Sequence, residues 1–399
     1  MMWLLRGFRA CYGLAARVLS ALMISWTAVC AQGVAIDAER AWLADYETGT
    51  VLYEKNGDQP FAPGNIVKVL TAVEIFSALN EGKITPETRY RISENTWRKG
   101  GGPAGKTAMF AELNSEVRVS DLLRGLIIPC GNDAALALAE GFAGSEQAFA
   151  EKLNERAAAL GMDKTRVTTA TGYDEDGQTT TARDAARLAV HIVRNLPEQF
   201  KMFSEPDFTW NKIRQSNRNP LTNVWAGADG FTAGMPQPGN GVLLGTGLEG
   251  GRRFIVVISG ARDQRSAAQD ARKLVEWGVK AFEAVVVFDA GEPIAELVTW
   301  GGEKRSVTAV AGKPVIMMAP RSGQGKVTAQ VVYQGPVIAP VEKGRELGRV
   351  VVRIGGGGEL EAPVYAGEDV GPGGTSDRAF DNIIEFFSRM LWKLSEGRG

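Results

Sequence analysis

Three short segments contain the residues whose types and spacing could do chemistry. Lys68 follows Asn65 by three positions, so a helix that starts there places both side chains on one face. The other two segments are Cys130-Gly131-Asn132 and Thr232-Ala233-Gly234. An asparagine amide is not a usable nucleophile for acyl transfer, whereas a thiol beside an ammonium group ionises more readily. The residues therefore supply a lysine and a thiol, but no nucleophile at position 65.

A fourth segment, residues 100–107, matches the phosphate-binding pattern G-x-x-x-x-G-K-[ST]. A phosphate-binding loop needs a buried strand before it and a helix after it, so that backbone amides and the helix dipole converge on the phosphates. Here the polar stretch 89–99 precedes the match, and the turn-rich stretch 108–119 follows it. Nucleotide binding at 100–107 is therefore a weak alternative.

Composition excludes several classes of function. The 45 basic and 46 acidic residues nearly cancel, which argues against nucleic acid as a partner. The single histidine argues against histidine-based catalysis and most zinc sites, so no metal and no cofactor are predicted. Of the cysteines, Cys11 and Cys30 lie in a predicted export signal, and Cys130 by itself cannot form an internal disulfide.

Both ends of the chain carry membrane-related patterns. Residues 1–31 combine three early arginines with an apolar run that ends before Ala31, which predicts a cleaved signal peptide and an exported protein. The apolar run is shorter than the roughly 20 residues of a membrane span, which disfavours an uncleaved anchor. Removing residues 1–31 leaves 399 − 31 = 368 residues.

At the other end, a linker at 371–377 precedes a predicted amphipathic helix at 378–399. Its apolar residues recur at i, i+3, i+4 and i+7 from Phe380 to Leu394. Such a helix suits the inner-membrane surface on its periplasmic face, although docking onto the chain itself is an open alternative.

Between these ends, the patterns predict two folded parts. Residues 32–283 are predicted to form an α/β domain, because strand-like runs at both ends enclose a mostly helical middle. Residues 284–370 alternate short β-rich stretches with Gly and Pro turns, which predicts a small all-β sandwich. The predicted strands of the first part are 41–45, 51–53, 241–247 and 254–259, and its helices are 66–79, 120–126, 132–142, 146–160, 182–195 and 266–282. The predicted strands of the second part are 284–288, 306–310, 314–318, 326–333, 348–354 and 359–365.

The three short segments and their surroundings resemble the D-alanyl-D-alanine carboxypeptidases, which belong to the low-molecular-weight penicillin-binding proteins. That family uses S-x-x-K, S-x-N and K-T-G motifs, in which the serine attacks, the lysine accepts its proton and the K-T-G strand binds the substrate carboxylate. The surrounding contexts occur here in the family's order: Ala41–Asp45, Thr48-Gly49, Phe61-Ala62-Pro63, Val69–Ala72, Asp121–Leu126, Asp133–Glu140, Leu160-Gly161-Met162, Thr181–Asp184, Asn217–Leu221, Asp229-Gly230, Ala339-Pro340-Val341 and Lys343-Gly344.

The resemblance implies a serine-β-lactamase-like domain, with an antiparallel sheet flanked by helices, then a β-sandwich and a C-terminal amphipathic helix. It also assigns roles. Asn65 replaces the nucleophile, Lys68 is the general base and Cys130 replaces the second serine. The implied substrate-binding residues, facing a peptidoglycan stem peptide, are Asn132, Arg218, Thr232, Ala233 and Gly234. An arginine that the family carries after Ser259 aligns here with Ala267.

Losing the nucleophile of a serine hydrolase costs on the order of 10⁶ in turnover. The leading hypothesis is therefore a catalytically inactive family member that keeps a groove for peptidoglycan stem peptides. A second hypothesis makes Cys130 the nucleophile with Lys68 beside it, against the simpler view of a small buried residue. A third recruits Ser93, Ser115 or Ser120, none of which lies three positions before a lysine.

Overall fold

The computed structural model describes residues 34–173, 177–322, 326–354 and 359–374. The predicted signal peptide at 1–31 and the predicted helix at 378–399 lie outside these ranges. Within the described ranges, no helix is long and apolar enough to cross a membrane.

The strands and α-helices alternate along the first two thirds of the chain, and strands alone follow. The strands are β1 (Arg40–Asp45), β2 (Val51–Lys55), β3 (Arg89–Arg91), β4 (Glu116–Arg118), β5 (Asp207–Trp210), β6 (Ile213–Ser216), β7 (Ala228–Gln237), β8 (Asn240–Glu249), β9 (Arg252–Ala261), β10 (Phe282–Phe288), β11 (Pro293–Trp300), β12 (Ser306–Ala311), β13 (Val315–Pro320), β14 (Val327–Tyr333), β15 (Val337–Ile338), β16 (Glu346–Ile354) and β17 (Glu359–Ala366). The helices are α1 (Ile66–Asn80), α2 (Glu94–Gly100), α3 (Val119–Ile127), α4 (Asn132–Ala143), α5 (Glu146–Ala159), α6 (Ala182–Asn195), α7 (Pro197–Phe200) and α8 (Gln264–Ala281).

An antiparallel sheet with the strand order β2-β1-β9-β8-β7 organises the first part. Successive residues of a strand point to opposite faces, and β1 divides accordingly. Trp42 and Ala44 pack in the core that contains α1, whereas Ala41 and Leu43 pack in the core that contains α8. Helices therefore cover both faces of the sheet, and β7 forms one of its two edges.

Helix α1 is buried on nearly all sides, which accounts for its apolar sequence. Its polar members have specific partners inside the protein. Thr71 donates to the carbonyl oxygen of Ala170 at 3.1 Å, and Glu74 pairs with Arg156 at 2.8 Å. These contacts anchor the middle of α1, the helix that begins directly after residue 65.

The second part is a β-domain with its own core. Its main sheet has the order β14-β16-β17-β12-β11-β15, and β10 pairs with β13 in a separate ribbon. Met318 of β13 packs into the core around α8, and its backbone N–H donates to the Thr50 hydroxyl at 3.3 Å. The two parts therefore share packed surface.

The predicted strands and the long predicted helices are confirmed, with ends that differ by a few residues. The sequence did not predict β3, β4, β7, β11, β15, the β5–β6 hairpin or the short helices α2 and α7. Strand β7 contains two glycines and a proline, which have low strand propensity, and pairing with β8 along its length overrides that local preference.

Candidate active site

The side chain of Asn65 bridges α1 and β7. Its Nδ2 donates to the carbonyl oxygen of Ala233 at 2.6 Å, and its Oδ1 accepts from Lys68 Nζ at 2.9 Å. Asn65 immediately precedes Ile66 but makes no capping bond to the helix, because its amide is engaged in the bridge. With 6% of its surface exposed, it is nearly buried.

Lys68 is buried at 3% exposure and is therefore not a solvated surface lysine. Its ammonium also donates to the carbonyl oxygen of Thr171 at 3.1 Å and lies 4.8 Å from the centre of the Tyr173 ring. A buried cation needs such oxygen and aromatic neighbours to offset its lost hydration. Lys68 therefore lies in a preformed site, one wall of which is the segment that contains Thr171 and Tyr173.

The second motif lies on the turn that leads from α3 into α4. Cys130 has a left-handed backbone with φ of 57°, and its carbonyl oxygen accepts from the Thr107 hydroxyl at 2.8 Å. Its sulfur lies 3.5 Å from the Thr232 hydroxyl. The second and third motifs are therefore in direct contact through the residues that replace the family's serine and lysine.

Asn132 opens α4 but does not cap it, because the capping position is Gly131 and no side-chain cap bond forms there. The residue is 4% exposed, and its Oδ1 has no hydrogen-bond partner among the described residues. A buried amide oxygen without a partner is uncommon in folded proteins. Asn132 thus keeps unused hydrogen-bonding capacity inside the protein.

The adjacent Asp133 holds the loop that borders the second motif. Its carboxylate accepts backbone N–H bonds from Met109 at 2.8 Å, Ala111 at 3.1 Å and Ala134 at 2.9 Å. Burial raises the pKa of Asp133 despite these donors. This carboxylate therefore positions residues 109–111 beside α4.

The third motif lies within β7 and not in a turn. A β-carbon at Gly234 would come within 2.8 Å of Tyr173 Oη and 3.0 Å of Asn65 N, so the close approach of β7 to α1 requires glycine. Thr232 and Ala233 are 4% and 2% exposed. The structure thus brings Asn65, Lys68, Cys130, Thr232, Ala233 and Gly234 together.

Two residues stand apart from this cluster. Arg218 is exposed, and its backbone N–H donates to the carbonyl oxygen of Ile128 at 3.0 Å, which places it near the second motif. Ala267 belongs to α8 and is fully buried in the core on the opposite face of the sheet. Ala267 therefore does not contribute to this cluster.

The phosphate-loop pattern at 100–107 has none of the required architecture. Gly100 ends α2, and a short 3₁₀ turn follows at Gly102–Ala104. A β-carbon at Gly100 would lie 2.6 Å from Asp133 N, so this glycine allows α2 to pack on α4. The match therefore reflects helix packing.

Sequence reasoning missed Thr171 and Tyr173 as neighbours of Lys68. Their segment is a loop, and Thr171 contributes a backbone carbonyl, which residue type does not reveal. The cluster as a whole offers a buried ammonium, an amide in place of a nucleophile and an edge strand. It has the layout of an acyl-transfer site, with asparagine at the position that the resemblance gives to the nucleophile.

The fold and this arrangement are those of the penicillin-interacting proteins. Residues 27–263 match the family model described as D-alanyl-D-alanine carboxypeptidase, and residues 282–372 match the C-terminal domain of penicillin-binding protein 5. The chain belongs to the D-alanyl-D-alanine carboxypeptidase family of S11 peptidases.

Individual relatives agree with this membership. The chain is 33% identical to D-alanyl-D-alanine carboxypeptidase DacA of Haemophilus influenzae, over 88% of this chain and 89% of that protein. It is 34% identical to DacC of Escherichia coli over the same shares. The crystal structure of penicillin binding protein 5 from Haemophilus influenzae aligns with a TM-score of 0.74 at 33% identity, over 85% of this chain and 99% of that one.

Proposed function

We propose that this chain acts in peptidoglycan metabolism as a carboxypeptidase homologue that binds D-Ala-D-Ala stem peptides without hydrolysing them. The observation that carries the proposal is the side chain of Asn65, which occupies the nucleophile's position with both polar atoms hydrogen-bonded. An amide has no hydroxyl group that Lys68 could deprotonate for attack on a carbonyl, and its oxygen is a poor nucleophile. The relatives named above are carboxypeptidases. We propose that this chain keeps the binding of the peptide and lacks its hydrolysis.

The mode of binding follows from β7. It is an edge strand, and an extended peptide adds to such an edge through main-chain hydrogen bonds. By resemblance, the carboxylate end of the peptide lies at Thr232, beside Cys130, and the chain continues past Ala233 and Gly234. Asn132 and Arg218 are the proposed polar contacts on the facing wall. Because Asn65 already uses the Ala233 carbonyl, we expect weaker binding than in the active relatives.

A pair of measurements tests the proposal. We expect no covalent band when the purified protein is incubated with a fluorescent penicillin, and saturable heat on titration with a pentapeptide that ends in D-Ala-D-Ala. A pentapeptide that ends in L-Ala-L-Ala is the control ligand. A covalent band or released D-alanine would contradict inactivity. Equal binding of both peptides would contradict a groove that is specific for D-Ala-D-Ala.

We also propose that the protein is exported and held at the inner membrane by the helix at 378–399, after removal of residues 1–31. The sequence pattern alone supports this, since both segments lie outside the described residues. The full mature chain should sediment with anionic lipid vesicles, whereas a chain ending at residue 374 should stay in the supernatant. Equal sedimentation of the two would reject the anchor.

A further inference from the structure

The edge strand of the site has no positive charge of its own. Strand β7 contains a single charged residue, Asp229, and the strand that pairs with it, β8, contains only Glu249. In the proposed function, an extended stem peptide lies along β7 with its end at Thr232. These two strands therefore supply no cation to a terminal carboxylate.

The surroundings of the Thr232 side chain are uncharged as well. Residues two apart on a strand point to the same face, so Thr232 shares a face of β7 with Gly234. On that face a β-carbon at Gly234 would lie 3.0 Å from Asn65 N, which places the Thr232 side chain on the α1 side of the sheet. Its hydroxyl lies 3.5 Å from the Cys130 sulfur, and the two residues are 4% and 3% exposed. A hydroxyl and a thiol give a ligand polar neighbours but no positive charge.

The buried cations that contact α1 and β7 are already engaged. The Lys68 ammonium donates to Asn65 Oδ1 at 2.9 Å. Arg253 donates through both terminal nitrogens to the carboxylate of Asp229, at 2.7 Å each. Arg218 is exposed, so water and salt screen its charge. A carboxylate against Thr232 would therefore compete for cations that have other partners or lie in solvent.

An amide suits this position better than a carboxylate does. Moving a carboxylate out of water costs far more than moving an amide, unless a cation replaces the lost hydration. An amide can accept from the Thr232 hydroxyl through its carbonyl oxygen, and it has an N–H group to donate. On the facing wall, the Oδ1 of Asn132 is a buried acceptor without a partner among the described residues. Such an acceptor favours an N–H group and repels a carboxylate.

We propose that the site prefers a stem peptide whose terminal carboxyl group is bound in an amide over one whose carboxylate is free. A peptide that is cross-linked through the carboxyl group of a D-alanine has such an end. The inference rests on the proposed function and names the class of ligand. Thr232 is the residue that determines the preference, because it occupies the place where a cation would favour the free acid.

Calorimetry on the full mature chain tests this with three forms of one pentapeptide that ends in D-Ala-D-Ala: the free acid, the C-terminal carboxamide and the methyl ester. We expect both neutral forms to bind about tenfold more tightly than the acid. Thr232→Lys should reverse the preference, because it adds a cation beside the end of the peptide. Thr328→Lys, on exposed β14, adds the same charge elsewhere and should keep the wild-type preference.

The outcomes separate this inference from the proposed function. Equal affinity for acid and carboxamide, or tighter binding of the acid, would overturn the inference and leave the proposed function in place. An ester that binds no better than the acid would also overturn it, since charge would then not be the cause. Binding of none of the three forms would overturn the proposed function as well.

The variant adds an independent check on Thr232. A folded Thr232→Lys protein that still prefers the carboxamide would overturn the role of this residue. Circular dichroism establishes whether the variant is folded. If it is not, the three titrations of the wild-type protein decide the inference by themselves.

Discussion

At the scale of single residues, the informative contrast is between what was replaced and what was kept. Asn65, Cys130 and Thr232 replace groups that the family uses for chemistry, whereas Lys68 stays buried with its ammonium 2.9 Å from the residue-65 side chain. A buried lysine without partners would be strongly destabilising. The Asn65 amide therefore stabilises the buried Lys68 ammonium, because its oxygen accepts a hydrogen bond from it.

The first prediction concerns Asn65→Ser. A serine hydroxyl at this position would branch from the same β-carbon and lie within reach of Lys68. We expect slow covalent labelling by a fluorescent penicillin, weaker than in active relatives because the missing lysine at position 232 costs about 2–5 kcal/mol of carboxylate binding. Asn65→Ala and the double variant Asn65→Ser/Lys68→Ala should remain unlabelled. No label on a folded Asn65→Ser protein would mean that Lys68 no longer works as a base.

Cys130 gives the second prediction. The residue is 3% exposed and its sulfur lies 3.5 Å from the Thr232 hydroxyl, so alkylation requires local opening. Iodoacetamide should modify the native protein at least about 10²-fold more slowly than a free thiol, and denaturant should abolish the difference. A native rate equal to or above that of a free thiol would revive the hypothesis of a thiol nucleophile.

At the scale of elements, the site depends on how α4 holds its neighbours. Glu140 accepts from Ser93 at 2.6 Å and from Thr96 at 3.0 Å, which fastens α2, while Asp133 fastens the loop at 109–111. Both carboxylates lie on α4, one near each end. This helix is therefore the common support of the wall that carries Cys130 and Asn132.

Asp133→Ala gives the third prediction. The variant strands the backbone N–H groups of Met109 and Ala111 in a dry environment, at a cost of about 1–3 kcal/mol for each group. We expect the free energy of unfolding, measured with urea, to fall by about 2–5 kcal/mol. Asp121→Ala, which removes the ion-pair partner of the exposed Arg118 side chain, is the control and should change the free energy of unfolding little. An Asp133→Ala protein as stable as the control would contradict this role.

The raised pKa of Asp133 adds a pH dependence to this prediction. As pH rises above the unfolded-state value of about 3.8, the unfolded chain releases this proton first, since the folded protein holds it to higher pH. Stability from this group is therefore lost as pH rises through the interval between the two pKa values, and is constant above it. Asp133→Asn should remove that component from a urea-denaturation series over pH.

At the scale of the whole molecule, the two parts share a contact that the sequence did not predict. Met318 is 2% exposed in the core around α8, whereas the adjacent Met317 is fully buried in the core of the β-domain. Neighbouring residues of β13 thus serve different cores. The boundary between residues 283 and 284 remains a prediction, but Met318 ties the two sides together.

This pair of methionines gives the fourth prediction. Met→Ala in a core costs about 2–5 kcal/mol, so both single variants should lower stability. Met318→Ala should increase hydrogen exchange at the β1–β2 turn near Thr50, because that turn bonds to the Met318 backbone. Met317→Ala should increase exchange only within the β-domain. Unchanged exchange near Thr50 in Met318→Ala would show that the contact does not couple the two parts.

The sequence by itself determined a good deal. The apolar run of α1, the α/β and all-β parts, and the absence of a nucleophile at position 65 all follow from residue types and their periodicity. These are local properties, since helical spacing and side-chain chemistry can be evaluated along the chain. The sequence contexts of the motifs also indicated the family, which the match to the family model and the identity to DacA of Haemophilus influenzae confirm.

Only the tertiary structure decided what the replaced residues do. Asn65 and Ala233 are 168 positions apart, and the acceptor that Ala233 provides is a backbone carbonyl, which every residue has. Likewise, β7 is a strand because β8 pairs with it, despite a local composition that disfavours one. Long-range pairing and backbone acceptors leave little trace in residue type, so the bridge from Lys68 through Asn65 to β7 could be seen only in the fold.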